Sequence, residues 1–166
     1  MTHEERKTGI LLDLEEQLKE LSEEELRQVE YTIQAIKQAR SKEFHYFGHS
    51  LGIDLFSESC PTMRLGPHNA NTYGMPQGGA LFTLADVALG YKIISCLDSE
   101  TEKTFTLEMK MNYIRPAQGE KVRAKPEILH FGNKTVIGQC AIEDEEGLLV
   151  AQALGTFYLS RSKNGS

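Results

Sequence analysis

Asp86 is the one acid in the stretch "YGMPQGGALFTLADVALGY", residues 73 to 91, whose other residues are mostly small or apolar. A carboxylate on so apolar a helix costs free energy unless it is paired, hydrogen-bonded or open to a cleft. A cleft aspartate can serve as a base or a nucleophile; the plain alternative is an acid on a solvated stripe. Gly78 and Gly79 open the same stretch. The first amides of a helix lack intrahelical partners and lie at its positive end. Without side chains there, a ligand oxygen can come close, as when an oxyanion or polarised carbonyl is held. The plain alternative is a turn that packing requires. Asp86 follows Gly79 by seven residues, two helical turns, and shares a face with Gly79, Phe82 and Thr83. Asn71, six residues before Gln77, lies in the loop leading into the helix. An asparagine there reads first as turn chemistry.

The surrounding pattern predicts what must position these groups. Ile10, Leu11, Leu14, Leu18 and Leu21 recur at helical spacing, and a second stripe follows at Leu26, Val29, Ile33 and Ile36. Ser22 with Glu25 three residues on is a capping-box pattern between them. Residues 1–43 therefore read as an N-terminal helical hairpin that packs on the main domain or on a partner subunit. From Phe44 the texture changes. "LGIDLFSES" and "TMRLGP" read as strands, and "PHNANTYGMP" reads as a loop holding a solvated His68. A helix from about Gly79 to Ser95 comes next. Four strand-like runs follow: "KTFTLEMKMNYI", "KVRAKPEILHF", "KTVIGQCAIED" and "LLVAQALGTFYL". Their short separators suit antiparallel turns. One apolar helix against such a sheet makes an α+β sandwich. Residues 161–166, "SRSKNGS" in part, read as a mobile tail.

Composition narrows the function classes. The 166 residues fit one domain with an appendage, and 40% hydrophobic content supplies a core. The net charge is −6, and residues 1–41 hold six basic against ten acidic residues. That balance argues against nucleic acid as a partner. Cys60, Cys96 and Cys140 are widely spaced without a CxxC pair, which speaks against a zinc site or a disulfide framework. The charged start "MTHEERKTG" lacks an apolar signal region, and the most apolar helix contains Asp86 and Lys92. The expectation is a soluble, cytoplasmic protein without a membrane span.

Taken together, Asn71, Gly74, Gln77-Gly78-Gly79, Leu84 and Asp86 resemble the hotdog-fold thioesterases of the PaaI type. Their usual pattern is Asn-x-x-Gly-x-x-His-Gly-Gly-x-x-x-x-Leu-x-Asp. "YIRPAQGE" resembles that family's apolar-Arg-Pro-Ala turn, and "EEGLLVAQALGTFYL" its closing strand. The resemblance spans roughly residues 44–160 and leaves the first 43 outside the common domain. It implies a long helix wrapped by an antiparallel sheet, in dimers or tetramers with active sites at subunit interfaces. It also implies hydrolysis of acyl-CoA without a metal or redox cofactor. Asp86 would activate water or attack the carbonyl, and the Gly78 N–H would polarise the thioester oxygen. Asn71 would orient the water or the carbonyl, and Thr106 is the best match for a hydroxyl that joins the site. Arg115, Lys134 and Arg161, at turns and strand ends, are candidates for the CoA phosphates.

One departure stands out: Gln77 replaces the usual histidine. Glutamine can donate and accept hydrogen bonds but carries no proton charge near neutral pH. This keeps open a binding or regulatory protein that holds acyl-CoA without turnover. A dehydratase or hydratase fits less well, because no histidine occupies the required motif position.

Overall fold

The computed structural model describes residues 2–41, 43–56, 59–97 and 102–160. Helices α1 (His3–Lys19) and α2 (Glu23–Gln38) come first, then the short α3 (Tyr46–Ser50). Strands β1 (Ile53–Asp54) and β2 (Thr62–Arg64) precede the long helix α4 (Gly78–Ile94). Strands β3 (Lys103–Tyr113), β4 (Lys121–Phe131), β5 (Thr135–Glu143) and β6 (Leu149–Ser160) complete the order. All six strands form one antiparallel sheet, ordered β1-β2-β4-β5-β6-β3. The sheet curls around α4, which gives the expected hotdog fold behind a helical region.

The core follows from two periodicities. Ala80, Leu81, Leu84, Ala85, Ala88, Leu89 and Ile93 form the buried stripe of α4. They meet the alternating inward residues Val136, Cys140 and Ile142 of β5 and Ala151, Ala153, Phe157 and Leu159 of β6. Gly138 of β5 marks the closest approach. A Cβ there would lie 2.7 Å from Leu89 Cδ2 and 3.1 Å from the Glu127 carbonyl oxygen, so only glycine lets the helix settle onto the strand.

The N-terminal helices form where the stripes place them. Both begin with capping boxes, Thr2 with Glu5 and Ser22 with Glu25. Their burial is slight: α1 buries no residue and α2 only Ala35. The stripe of α1 is left largely exposed at Ile10, Leu11 and Leu14.

Two other expectations change. Of the strand expected over "LGIDLFSES", residues 57–58 lie outside the described residues; the described strand is Ile53–Asp54, which starts late because the chain first closes α3 and turns at Gly52, whose φ is +76°. His68 is half-buried rather than a solvated loop residue. Its ring lies 4.3 Å from that of Tyr31 on α2, whose hydroxyl donates to the His49 carbonyl at 3.0 Å. Next to it, Asn69 Nδ2 donates to the Leu51 and Arg64 carbonyls at 2.9 and 2.7 Å. The Asn69 carbonyl in turn accepts the Gln77 N–H at 2.9 Å. Helix α2 is thereby tied through one small polar cluster to the start of α4.

Burial, with the Arg64 charge added, pulls the His68 imidazole below its ordinary value. A histidine depressed in the fold contributes stability above its unfolded pKa of about 6.5 and loses it as pH falls. Thermal unfolding between pH 7.5 and 5.5 should show stability dropping with pH, and the drop should be shallower in His68→Gln. Equal slopes would contradict this reading of the cluster.

Candidate active site

The start of α4 is built by the residue that broke the motif. Gln77 is its N-cap, and the side-chain Oε1 accepts from the Gly79 N–H and, at 3.3 Å, from the Ala80 N–H. Two of the helix's orphan amides are thus satisfied. Gly78 is the first helical residue, and its N–H has no partner among the described residues. The donor left over is therefore the one aimed outward from the positive end of the helix. Tyr113, at the end of β3, fixes this corner. Its hydroxyl donates to the Gly78 carbonyl at 2.8 Å, and a Cβ on Gly78 would lie 3.1 Å from its ring.

Asn71 does turn chemistry first. Its Oδ1 accepts from the Tyr73 and Met75 amides at 2.9 and 3.1 Å, and its own N–H donates to the Met75 carbonyl. With Oδ1 engaged, Asn71 faces a ligand only as a donor, through Nδ2.

Asp86 is half-buried on α4, and Thr106 Oγ1 donates to its Oδ1 at 2.7 Å. A bulge makes that contact possible. Against β6 the register of β3 slips between Thr106 and Glu108, so Leu107 is the extra residue. Thr104 and Thr106 turn toward α4 before the slip, and Met109 and Met111 pack against the core after it. The Asp86–Thr106 pair sits at the polar end of a crevice of about 570 Å³ between α4 and β3. Phe44, Leu55, Val87, Gly90, Ile94 and Phe157 make up much of its wall, and Ala39 and His45 come from the N-terminal side. The buried Thr104 hydroxyl has no partner among the described residues and borders the same crevice.

The reading from sequence missed two groups here, Tyr113 and His45. His45 caps α3 by accepting the Gly48 N–H on Nδ1 at 2.9 Å. Burial and neighbouring His49 pull its imidazole down, and the Asp86 carboxylate opposes them. No spacing rule links either residue to the motif, because topology alone brings them there.

Other candidates fall away on their contacts. Asp144 is buried, but its carboxylate is spent on the turn between β5 and β6, accepting from the Glu146, Leu148 and Gln118 amides. Burial pushes the Cys140 thiol up to about 12, so it offers no thiolate at neutral pH. A wider hollow of about 920 Å³ between α2 and the β1–β2 edge has mixed charges and none of the motif residues. Among the described residues no cluster of three or more His, Cys, Asp or Glu could hold a metal ion. No helix there is long and apolar enough to cross a membrane.

The structure unites Asp86 with Thr106, and Gln77 with Gly78, but it separates the two groups. Gly78 and Asp86 stand eight residues apart on one helix, about 12 Å at 1.5 Å per residue. The proposed CoA-binding cations are also dispersed. Arg115 follows Tyr113 near the start of α4, while Lys134 lies beside Leu159 at the opposite end of the sheet. Arg161 lies outside the described residues.

Comparison with known proteins fits this geometry. The model of the family described as thioesterase superfamily matches residues 74–151. Medium/long-chain acyl-CoA thioesterase YigI of Escherichia coli K12 is 26% identical over 94 residues, 49% of this chain and 61% of YigI. The chain thus spans less than two thirds of that relative's length. The BH2602 protein of Bacillus halodurans, solved with CoA, superposes with a TM-score of 0.82 at 22% identity, over 90% of this chain and 99% of its own. Conserved protein PA5202 of Pseudomonas aeruginosa is 30% identical, with a TM-score of 0.62 over 74% of this chain and 99% of its own.

If Gln77 is a working cap, Gln77→Ala should lower unfolding free energy by about 1 kcal/mol in urea titration, and Gln77→Ser should recover most of it. No difference between Gln77→Ala and the native chain would contradict the assignment.

Proposed function

We propose, from the match of residues 74–151 to the thioesterase superfamily, that this chain hydrolyses acyl-CoA thioesters at a site shared by two copies of the chain. The observation that carries the reading is the Asp86 carboxylate, hydrogen-bonded by Thr106 at the polar end of an apolar crevice. The acyl group occupies the crevice and presents its thioester carbonyl to Asp86. Asp86 takes a proton from water as the water oxygen bonds to the carbonyl carbon, or it attacks that carbon itself to form an anhydride that water then opens. In either route negative charge develops on the carbonyl oxygen, the C–S bond breaks, and CoA leaves as its thiolate. A preorganised N–H donor at the oxyanion lowers that barrier. The Gly78 N–H suits the role because Gln77 leaves it unpaired. Asn71 Nδ2 is a further donor for the water or the carbonyl, and Thr106 orients the carboxylate.

Base and oxyanion donor must each lie about 3 Å from the reacting group. Asp86 and Gly78 of one chain, about 12 Å apart, cannot both do so. The site therefore takes Asp86 from one copy and Gly78 from another. Strand β3 supports this arrangement: among the described residues its outer edge has no neighbour in the sheet, and it carries the exposed side chains Phe105 and Leu107. Thr106 on that strand holds Asp86, and Tyr113 holds Gly78. Two β3 edges paired antiparallel about a centre between Met109 and Lys110 would set Thr106 of one copy opposite Tyr113 of the other.

Arg115, beside the Gly78 corner, is placed to meet a CoA phosphate. YigI, named as a medium/long-chain acyl-CoA thioesterase, and BH2602, solved with CoA, support this substrate class. The absence of a membrane-crossing helix among the described residues fits a cytoplasmic enzyme. The reading as a non-catalytic binder is not favoured, since Gln77 leaves both the Gly78 donor and the Asp86–Thr106 pair in place.

Asp86→Asn keeps the shape but removes the proton acceptor. The turnover number on the best acyl-CoA should fall at least 10²-fold, with binding retained by calorimetry; native-like turnover would refute the role of Asp86. The Gly78 donor can be removed nearly alone. Proline is tolerated at the first helical position, and Gln77, with φ −68° and ψ 135°, already has the backbone a following proline requires. Gly78→Pro should be about 10²–10³-fold slower than Gly78→Ala, which keeps the N–H and also crowds Tyr113. Equal rates for the two variants would exclude that amide as the oxyanion donor.

A further inference from the structure

We infer that Gly90 sets the length of acyl chain that the crevice beside Asp86 admits, and that the crevice is shaped for a straight chain of medium length. The inference rests on the thioesterase reading and adds to it a substrate class and a residue that selects it.

Gly90 lies in the interior of α4, one turn beyond Asp86. Glycine weakens a helix interior relative to alanine, so its presence asks for a reason. The common reason, close approach of a neighbour, is absent within this chain. A Cβ on Gly90 would meet no atom within 4 Å, whereas one on Gly138 would strike Leu89. The space beside Gly90 is open, and it belongs to the crevice.

The polarity of that crevice has a direction. Asp86 and Thr106 stand at one end, and Val87, Gly90 and Ile94 continue along the same helix toward the other, past the Thr104 hydroxyl on β3. The run from Asp86 to Ile94 is about 12 Å at 1.5 Å per residue. An extended chain advances about 1.2 Å per bond, taking a third of the span of an extended residue. A thioester carbonyl at Asp86 would therefore reach Ile94 with about ten carbons. Phe44 and Phe157 flank this path. A side chain grown from Gly90 would project into it one turn past the reacting carbon, where it would stop a long chain and spare a short one.

The test compares the full-length native protein, Gly90→Ala and Gly90→Phe on acetyl-, butyryl- and decanoyl-CoA, with light scattering to follow assembly. Native protein should favour decanoyl- over butyryl-CoA in kcat/KM. In Gly90→Phe that ratio should fall at least tenfold, since losing even two buried methylenes is worth about that much. Gly90→Ala should melt at a higher temperature and shift the ratio less. An unchanged ratio in a folded Gly90→Phe, or an equal loss on all three esters, overturns the inference. Dissociation of Gly90→Phe with no change in chain preference also overturns it, and assigns the open space to a neighbouring subunit. If native protein hydrolyses none of the esters, the hydrolytic reading fails and binding decides. Calorimetry with decanoyl-CoA and butyryl-CoA should then show the same tenfold change in affinity ratio between native and Gly90→Phe, and equal ratios overturn the inference.

Discussion

Helix α4 is a rigid rod, and the distance along it between the Gly78 amide and the Asp86 carboxylate governs everything proposed for this molecule. A helix cannot shorten eight residues to bring its two ends onto one carbonyl. On the proposed reading, hydrolysis therefore depends on a second copy, and the fold prepares for one. Strand β3 touches both half-sites, through Thr106 at Asp86 and Tyr113 at Gly78, and no other described strand covers its outer edge. The same strand that positions the chemistry is thus the strand available for pairing.

The rod has to be fixed in place for such spacing to matter. Ala80, Ala85 and Ala88 let α4 lie close to the sheet, and Gly138 removes the side chain that would hold Leu89 away. At its start, the turn chemistry of Asn71, the Gln77 cap and the Asn69 carbonyl define one conformation. The Tyr31–His68 stack extends that support to α2. The residues after α2 then contribute Phe44 and His45 to the crevice wall. The N-terminal region is in this way coupled to the site without supplying a motif residue.

Much of this was legible in the sequence. Strands β5 and β6 announce themselves because one face of each is buried, which imposes a period of two, and the α4 stripe is as plain at helical spacing. Asp86 was legible because an acid among small apolar residues demands an explanation. What stayed hidden depended on long-range geometry. The bulge at Leu107 resets which β3 side chains face the helix, and no local pattern marks it. Helix α3 is five residues long and capped by a histidine, outside the usual cap residues. His68 resembles a loop residue until Tyr31, far away in sequence, stacks on it. Gln77 looked like a lost catalytic histidine, whereas its oxygen caps the helix. The Gly78–Asp86 spacing was visible throughout, but its consequence needed the helix to be continuous between them.

Mixing two inactive variants tests the shared site most directly. Asp86→Asn and Gly78→Pro chains, combined in equal amounts under conditions that exchange subunits, form mixed dimers. In each mixed dimer one site joins an intact Asp86 to an intact Gly78, and the other site carries both lesions. If exchange is statistical, the mixture should recover about a quarter of native acyl-CoA hydrolysis, because half of the dimers hold one good site of two. Activity no higher than that of the two variants measured separately, with subunit exchange verified, would place Asp86 and Gly78 in the same chain's site and contradict the account.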